Sequence, residues 1–79
     1  MSDIFSLNAQ TLTELGGRLS TSRKLQKLSR AQAASVCNVS ISFIRDAETR
    51  PGSCSLAKLM QVVNGLGLSI SITGWQVEP

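Results

Sequence analysis

The chain has 79 residues and a formal net charge of +3, from eight Lys and Arg against five Asp and Glu. A chain of this length makes one small domain that buries only about 60% of its unfolded surface, and one Trp, two Phe and no Tyr predict a thin aliphatic core. No apolar run is long enough to span a bilayer, and the N-terminus lacks the blocks of a signal peptide, so we expect a cytoplasmic protein. The basic balance suits a polyanionic partner.

Catalytic chemistry has little support in the sequence. The chain has no His or Tyr, and its carboxylates are scattered over separate segments, so we predict that it is not an enzyme. Cys37 and Cys54 have no His or third Cys to complete a zinc site, and we expect neither a metal nor a cofactor. Two interpretations of Cys37 remain, a buried reduced thiol and a redox sensor.

The first predicted element is an N-terminal arm, residues 1–10, which has no periodicity but contains apolar side chains that need cover. Thr11 and Glu14 match a capping box, and the leucines that follow recur at helical spacing. This pattern predicts a first helix that runs to about Gln26. Lys27 follows it, where a left-handed helix end is commonly occupied by Gly.

The segment 29–48 predicts two short helices separated by a turn, the outline of a helix-turn-helix. Ser29 and Gln32 form the capping-box pattern of the first helix, and Ser40 is a good cap for the second. Asn38 stands in the turn, where a left-handed conformation is needed that Asn tolerates better than most residues.

After a linker that contains Pro51, Ser55 is predicted to cap a further helix that ends in a Schellman turn at Gly67. Its predicted core-facing stripe consists of Leu56, Leu59, Met60, Val63 and Leu66.

Alternation with a period of two predicts a strand over residues 68–73, with Leu68, Ile70 and Ile72 on one face. A lone strand has no ladder partner in its own chain, so the economical solution is pairing with the same strand of a second copy. We therefore predict a homodimer through residues 68–73, and we assign residues 68–79 to this dimerising strand and a short tail. The alternative is a strand that lies unpaired along the domain surface.

The segment 15–72 resembles the XRE (lambda-repressor-like) helix-turn-helix family, and within it the HipB-type antitoxins. LGGRLSTSRK is similar to the family's first helix, LSRAQAA to its second, NVSISFIRDAE to its turn and recognition helix, and SLAKLMQVVNGLGLSISI to its fourth helix and terminal strand. The resemblance implies an all-α bundle whose DNA-binding domain spans residues 11–67, with one C-terminal β-strand that pairs across a dimer.

The function implied by the resemblance is sequence-specific repression of operator DNA by a homodimer. The chain would also be the antitoxin of a HipA-like kinase toxin and would autoregulate their shared operon. Two alternatives remain open at the sequence level. One is a stand-alone phage-type or metabolic repressor without a toxin partner, and the other is a protein-interaction module that keeps the helix-turn-helix only as a scaffold.

DNA contacts are expected at the start and outer face of the second motif helix, from Ser40, Ile41, Ser42 and Arg45. By resemblance, Ile41 and Ser42 match base-reading positions. Arg30 matches the first residue of the family's second helix, commonly a Gln that contacts the DNA backbone or a base. Ile41 would contact a thymine methyl or act through DNA shape, whereas Arg45 would bind guanine or a phosphate. The alternatives are packing for Ile41 and a solvated charge for Arg45. Candidate phosphate contacts, or plain surface charges, are Arg18, Lys24, Lys27 and Arg50.

Three further residues have predicted roles outside the DNA contacts. Arg23 and Glu48 match two positions that often form a partly buried ion pair in lambda-repressor-like domains, so the resemblance implies a structural role for both. Trp75 has two interpretations, because a Trp in a short tail either packs over the dimer strands or contacts a partner protein such as the toxin.

Overall fold

The structure is a computed structural model, and it describes residues 5–71. Four helices follow one another along the chain: α1 (Leu12–Leu25), α2 (Arg30–Cys37), α3 (Ile41–Thr49) and α4 (Leu56–Gly65), with a short 3-10 helix at Pro51–Ser53. α3 packs against α1 and α2, and α4 packs against α2. The predicted all-helical bundle is confirmed for this part of the chain. None of the helices within residues 5–71 has the length and apolar character needed to cross a bilayer.

The core of the bundle is aliphatic, as the composition predicts. All four helices contribute to it, and its largest fully buried side chains are Leu19, Ile44, Val62 and Val63. Small residues from α2 fill the space between the larger ones, since Ala33, Ala34 and Cys37 are all buried. Phe43 is only partly buried and packs against this core from one side.

The buried stripe of α4 differs from the predicted one at its first residue. Leu56 is 70% exposed, whereas Val62, which was not in the predicted stripe, is buried. Leu56 is the first residue of the helix, and its side chain lies outside the bundle. The stripe therefore begins one turn later, at Leu59, and continues through Val62 and Val63 to Leu66.

Three of the four predicted serine and threonine caps are formed. The hydroxyl oxygens of Ser29, Ser40 and Ser55 accept hydrogen bonds from backbone N–H groups three residues later. The prediction for Thr11 is wrong, because this N-cap makes no side-chain capping bond. Its hydroxyl instead donates to the Ser6 carbonyl at 2.6 Å and accepts from the Asn8 backbone N–H at 2.9 Å, which ties the end of the arm to the start of α1.

Three helix ends use a residue with positive φ: Lys27 (60°), Asn38 (58°) and Gly67 (79°). At Gly67 the predicted Schellman turn is formed, with bonds from the Gly67 N–H to the Asn64 carbonyl and from the Leu68 N–H to the Val63 carbonyl. Lys27 adopts the left-handed conformation despite its side chain, in the same pattern of bonds. A Cβ is disfavoured there, so α1 ends at a cost in conformational energy.

The chain that follows α4 lies beside α1. Residues 68–71 have no regular secondary structure, and they form one wall of a groove whose other wall includes Phe5, Leu15 and Leu25. The predicted strand is thus not formed within residues 5–71 of this single chain, which offer no second strand to pair with it. Strand pairing across a dimer stays a prediction.

Candidate nucleic-acid interface

α2 and α3 form a helix-turn-helix whose turn is closed by backbone hydrogen bonds. The capping box at Ser29 is complete, since Gln32 returns a side-chain bond to the Ser29 N–H at 2.8 Å. At the other end of α2, the left-handed Asn38 lets the Val39 N–H donate to the Ala34 carbonyl at 3.0 Å. This turn sets the angle between the two helices and leaves the start of α3 at the surface.

The outer face of α3 begins with the residues predicted to read bases. Ile41 is 55% exposed, and Ser42 and Arg45 are also exposed. The Ser40 hydroxyl accepts from the Phe43 N–H at 3.0 Å and lies 3.1 Å from the Ser42 hydroxyl. The exposure of Ile41 argues against packing within the domain and leaves its side chain available to an apolar group such as a thymine methyl.

Asp46 lies between two arginines of this surface. Its Oδ1 is 3.3 Å from Nη2 of Arg50 and 3.6 Å from Nε of Arg45. Both arginines are exposed at the surface. Exposed pairs of this kind contribute little to stability, so neither guanidinium is held tightly. Asp46 lowers the local positive charge but leaves donors of both arginines directed to solvent.

The ion pair predicted between Arg23 and Glu48 is present and buried. Arg23 Nε donates to Glu48 Oε2 at 2.6 Å and Nη2 donates to Oε1 at 3.2 Å, while Nη1 donates to the Leu28 carbonyl at 2.9 Å. The Arg23 side chain is 9% exposed and that of Glu48 only 3%. All three nitrogens of this guanidinium are therefore used inside the domain, where the pair joins α1 to α3.

The two partners keep each other charged. The hydrogen bond to Glu48 raises the pKa of Arg23 against the opposing effect of burial. For Glu48, burial by itself would raise the pKa, but the bonds to Arg23 and Arg30 outweigh it and hold the pKa of this carboxyl below its ordinary value. Glu48 is thus a carboxylate throughout the physiological range.

Arg30 is the second arginine on this carboxylate. Its Nε donates to Glu48 Oε1 at 3.2 Å, and its side chain remains 43% exposed. The sequence predicted Arg30 only as a DNA contact. Its bond to Glu48 was missed, because no local spacing relates a residue at the start of α2 to one near the end of α3.

The structure separates the other candidate phosphate contacts into two groups. Lys24 is exposed in the last turn of α1, and Lys27 is exposed on the connection from α1 to α2. Arg18 instead lines the groove with residues 68–71, and its guanidinium carbon lies 4.5 Å from the centroid of the Phe5 ring. Gly16 faces α3, and Arg18 comes two residues later in α1. At about 100° per residue, the Arg18 side chain points about 200° away from Gly16 around the helix axis. Arg18 is consequently not brought together with the outer face of α3.

Sequence reasoning missed the importance of Gly16. An added Cβ at this position would lie 2.2 Å from the Glu48 carbonyl oxygen and 2.7 Å from the carbonyl carbon, both backbone atoms of α3. α1 and α3 are therefore in close backbone contact beside the Arg23–Glu48 pair. The available signal was the Gly16–Gly17 dipeptide inside an otherwise helical pattern, which often indicates a close approach.

The cysteines are free thiols in different surroundings. Cys37 is buried, and burial raises its pKa. Burial also raises the pKa of the partly buried Cys54, with a further contribution from Asp46 that Arg50 opposes. A raised pKa lowers the thiolate fraction and with it the reactivity, which favours the packed-thiol interpretation of Cys37. Nowhere in residues 5–71 do three His, Cys, Asp or Glu side chains cluster in a way that would hold a metal ion.

Comparison with solved structures identifies the architecture. A HipB–O1–O2 complex contains a chain that matches with a TM-score of 0.73 and 18% sequence identity, over 94% of this chain and all of that one. A HipA–HipB–O2–O3 complex matches with a TM-score of 0.74 and 17% identity over 96% of this chain, and an MDT protein with 0.73 and 17% over 96%. The chain has the HipB fold. No protein-family model and no curated protein sequence matches it.

The resemblance to HipB-type proteins is therefore confirmed at the level of the fold. In this fold, α2 and α3 are the helix-turn-helix pair. The predictions for Ile72 and Trp75 concern residues outside the described range 5–71.

Proposed function

We propose that this protein is a sequence-specific DNA-binding repressor that acts as the antitoxin of a HipA-like kinase toxin and represses their shared operon. The observation that supports DNA binding most directly is the outer face of α3, where Ile41, Ser42 and Arg45 are exposed together on a helix anchored by the buried Arg23–Glu48 pair. A rigidly held helix with exposed side chains at its start is what base recognition in the major groove requires.

Each exposed group has a contact that suits its chemistry. Ile41 contacts a thymine methyl, and Arg45 donates two hydrogen bonds to the edge of a guanine. Phosphate contacts come from cations around this face, namely Arg30, Lys24, Lys27 and Arg50. Such contacts supply affinity that depends on salt but not on sequence.

The functional unit is a homodimer, formed through the segment that contains Leu68, Ile70 and Ile72. Two copies related by a twofold axis would present two α3 helices to a palindromic operator with half-sites about 34–36 Å apart or a multiple of that spacing. The chain has only 79 residues and a thin core, so dimerisation would also stabilise each domain.

DNA recognition is tested by selection of duplexes from a randomised library with the purified full chain, followed by titration of the selected duplex and of a random duplex of equal length. We expect a palindromic selected site and a linear fall of log affinity with log salt. Arg45→Ala should weaken the selected duplex by about 1–3 kcal/mol and the random duplex much less. Equal losses on both duplexes would assign Arg45 to a phosphate.

Arg45→Lys is the matched control for this experiment. It keeps the positive charge but loses the planar fork, so we expect an unchanged salt dependence with reduced discrimination between the duplexes. Lys24→Ala should show the opposite behaviour, with equal weakening of both duplexes and a smaller salt slope. Failure of the unmodified protein to bind either duplex would reject the DNA-binding proposal and favour the protein-interaction module.

The toxin arm of the proposal is supported by the structural neighbour that is a HipA–HipB–operator complex. It is tested by examining the reading frames beside the gene and by coexpressing any HipA-like kinase found there with this chain. We expect a stable complex and relief of the kinase's toxicity. Operator binding without such a kinase, or with one that neither binds nor is restrained, would identify a stand-alone repressor instead.

A further inference from the structure

The Glu48 carboxylate serves two arginines that differ in their access to solvent. Arg23 is buried and has all three of its nitrogens bonded within the domain. Arg30 is bonded to the same carboxylate but is 43% exposed. One negative charge thus faces two positive charges, and the charge that remains uncompensated belongs to the exposed guanidinium.

The bond between Arg30 and Glu48 uses only one edge of the guanidinium. Nε is the donor, and among the described residues Glu48 is the sole side-chain partner of Arg30. The two terminal Nη groups are left with four N–H donors in a fixed plane. That arrangement matches the two oxygens of a phosphate, which a guanidinium binds through two parallel hydrogen bonds.

The position of Arg30 argues against a role in helix stability. It is the first residue of α2, where the helix dipole disfavours a positive charge. The capping box at Ser29 already satisfies this helix end without it. In a docked helix-turn-helix, the first helix of the motif crosses the DNA backbone, so its N-terminal residue is close to phosphates.

We propose that Glu48 is a positioning residue that holds Arg30 by its Nε, so that the two Nη groups form a preset bidentate clamp for a DNA phosphate. This inference rests on the proposed DNA-binding function and deepens it. It assigns Arg30 to the backbone rather than to a base. It also gives Glu48 two roles. Its two carboxylate oxygens accept hydrogen bonds from Arg23, which joins α3 to α1, and Oε1 also holds Arg30 in place for a DNA contact.

The test measures affinity against salt for the full chain with a selected duplex and a random duplex of equal length. Arg30→Ala should weaken both duplexes alike, roughly ten- to hundredfold, and reduce the salt slope by about 0.9. Arg30→Lys keeps the charge, but its single nitrogen cannot span Glu48 and a phosphate, so it should lose most of the same affinity. Lys58→Ala is the control for the loss of a charge and should retain both affinity and salt slope, because Lys58 is exposed on α4, which contributes no residue to the proposed interface.

Glu48→Gln tests the positioning step directly, with folding verified by circular dichroism and thermal unfolding. It should weaken DNA binding when Arg30 is present and have little further effect when combined with Arg30→Ala. If Glu48→Gln does not fold, the affinities of Arg30→Lys and Arg30→Ala are compared instead. Similar losses in the two variants support the clamp, and full affinity of Arg30→Lys contradicts it.

Several outcomes would overturn the inference. Full affinity for Arg30→Lys would mean that charge alone matters, and a loss confined to the selected duplex would make Arg30 a base contact. Equal weakening by Glu48→Gln with and without Arg30 would mean that Glu48 acts only through the fold. If the unmodified protein binds neither duplex, the proposed function itself fails and the clamp fails with it.

Discussion

The adjacent residues Gly16 and Gly17 should respond in opposite directions to the same substitution. Both lie in α1, where replacing Gly by Ala ordinarily stabilises a helix by about 0.5–1 kcal/mol. An added Cβ at Gly17 meets no atom within 4 Å, so Gly17→Ala should show this gain. At Gly16 the Cβ would lie 2.2 Å from the Glu48 carbonyl oxygen, and the obstacle is backbone that cannot rotate away.

The size of the Gly16 effect follows from the displacement it requires. Ordinary van der Waals contact begins at 3.4 Å, so α1 and α3 must separate by about 1 Å to accept the methyl group. Overpacking of this kind costs about 1–3 kcal/mol, which exceeds the helical gain. The separation would also stretch the Arg23–Glu48 bonds, since Glu48 supplies both the obstructing carbonyl and the bonded carboxylate.

Thermal unfolding followed by circular dichroism measures both variants against the unmodified chain. All samples need the same protein concentration, because the proposed dimer would make Tm depend on concentration. For a domain of this size, 1 kcal/mol corresponds to roughly 4–8 °C, so Gly17→Ala should raise Tm by a few degrees and Gly16→Ala should lower it by about 4 °C or more. A Tm increase for Gly16→Ala that equals that of Gly17→Ala would refute the close approach of α1 and α3.

Other predictions concern the ion pair, a strained helix end and the dimer. Glu48→Leu should destabilise the fold by about 3–5 kcal/mol because it leaves Arg23 buried without a counter-charge. Adding Arg23→Met should recover part of this loss, and additive effects of the two substitutions would contradict the ion pair. Bonds to Arg23 and Arg30 hold the pKa of Glu48 below its ordinary value, so its stabilisation is present above the unfolded-state pKa and is lost as pH falls through the folded-state pKa. The stability gap between the unmodified protein and Glu48→Gln should therefore close in acid titrations. Lys27→Gly should raise stability by about 1 kcal/mol, because φ is 60° there, and Lys27→Ala should not. Ile70→Pro should weaken dimerisation in sedimentation experiments, and an undiminished dimer would exclude the strand as the interface.

Local sequence patterns predicted the helices well because each helix end has its own chemistry. Ser29, Ser40 and Ser55 cap helices as expected, and Asn38 and Gly67 end them in the left-handed conformation. Where local patterns failed, a second segment competed for the same group. The Thr11 hydroxyl bonds to the arm instead of the first turn of α1, a choice that depends on the path of the preceding residues.

The candidate site was predictable in its residue types but not in its contacts. The positions of Ile41, Ser42 and Arg45 on one exposed face follow from helical spacing once Ser40 is known to be the cap. Arg18 shows the limit of this reasoning, since charge and location in α1 say nothing about which side of the bundle it faces. Its cation–π contact is with Phe5, which precedes α1, and no local sequence pattern determines the path of that preceding segment.

The hydrogen-bonded ion pair between Arg30 and Glu48 illustrates how a long-range contact arises from several local ones. Arg23 donates from Nη1 to the Leu28 carbonyl, which fixes the short connection between the left-handed Lys27 and the cap Ser29. That connection determines where α2 begins, and Arg30 is the first residue of α2. Because the remaining nitrogens of Arg23 bind Glu48, the start of α2 is held beside the same carboxylate. The second arginine therefore meets Glu48 as a consequence of the first, and a change at Arg23 should disturb the orientation of Arg30 as well as the stability of the bundle.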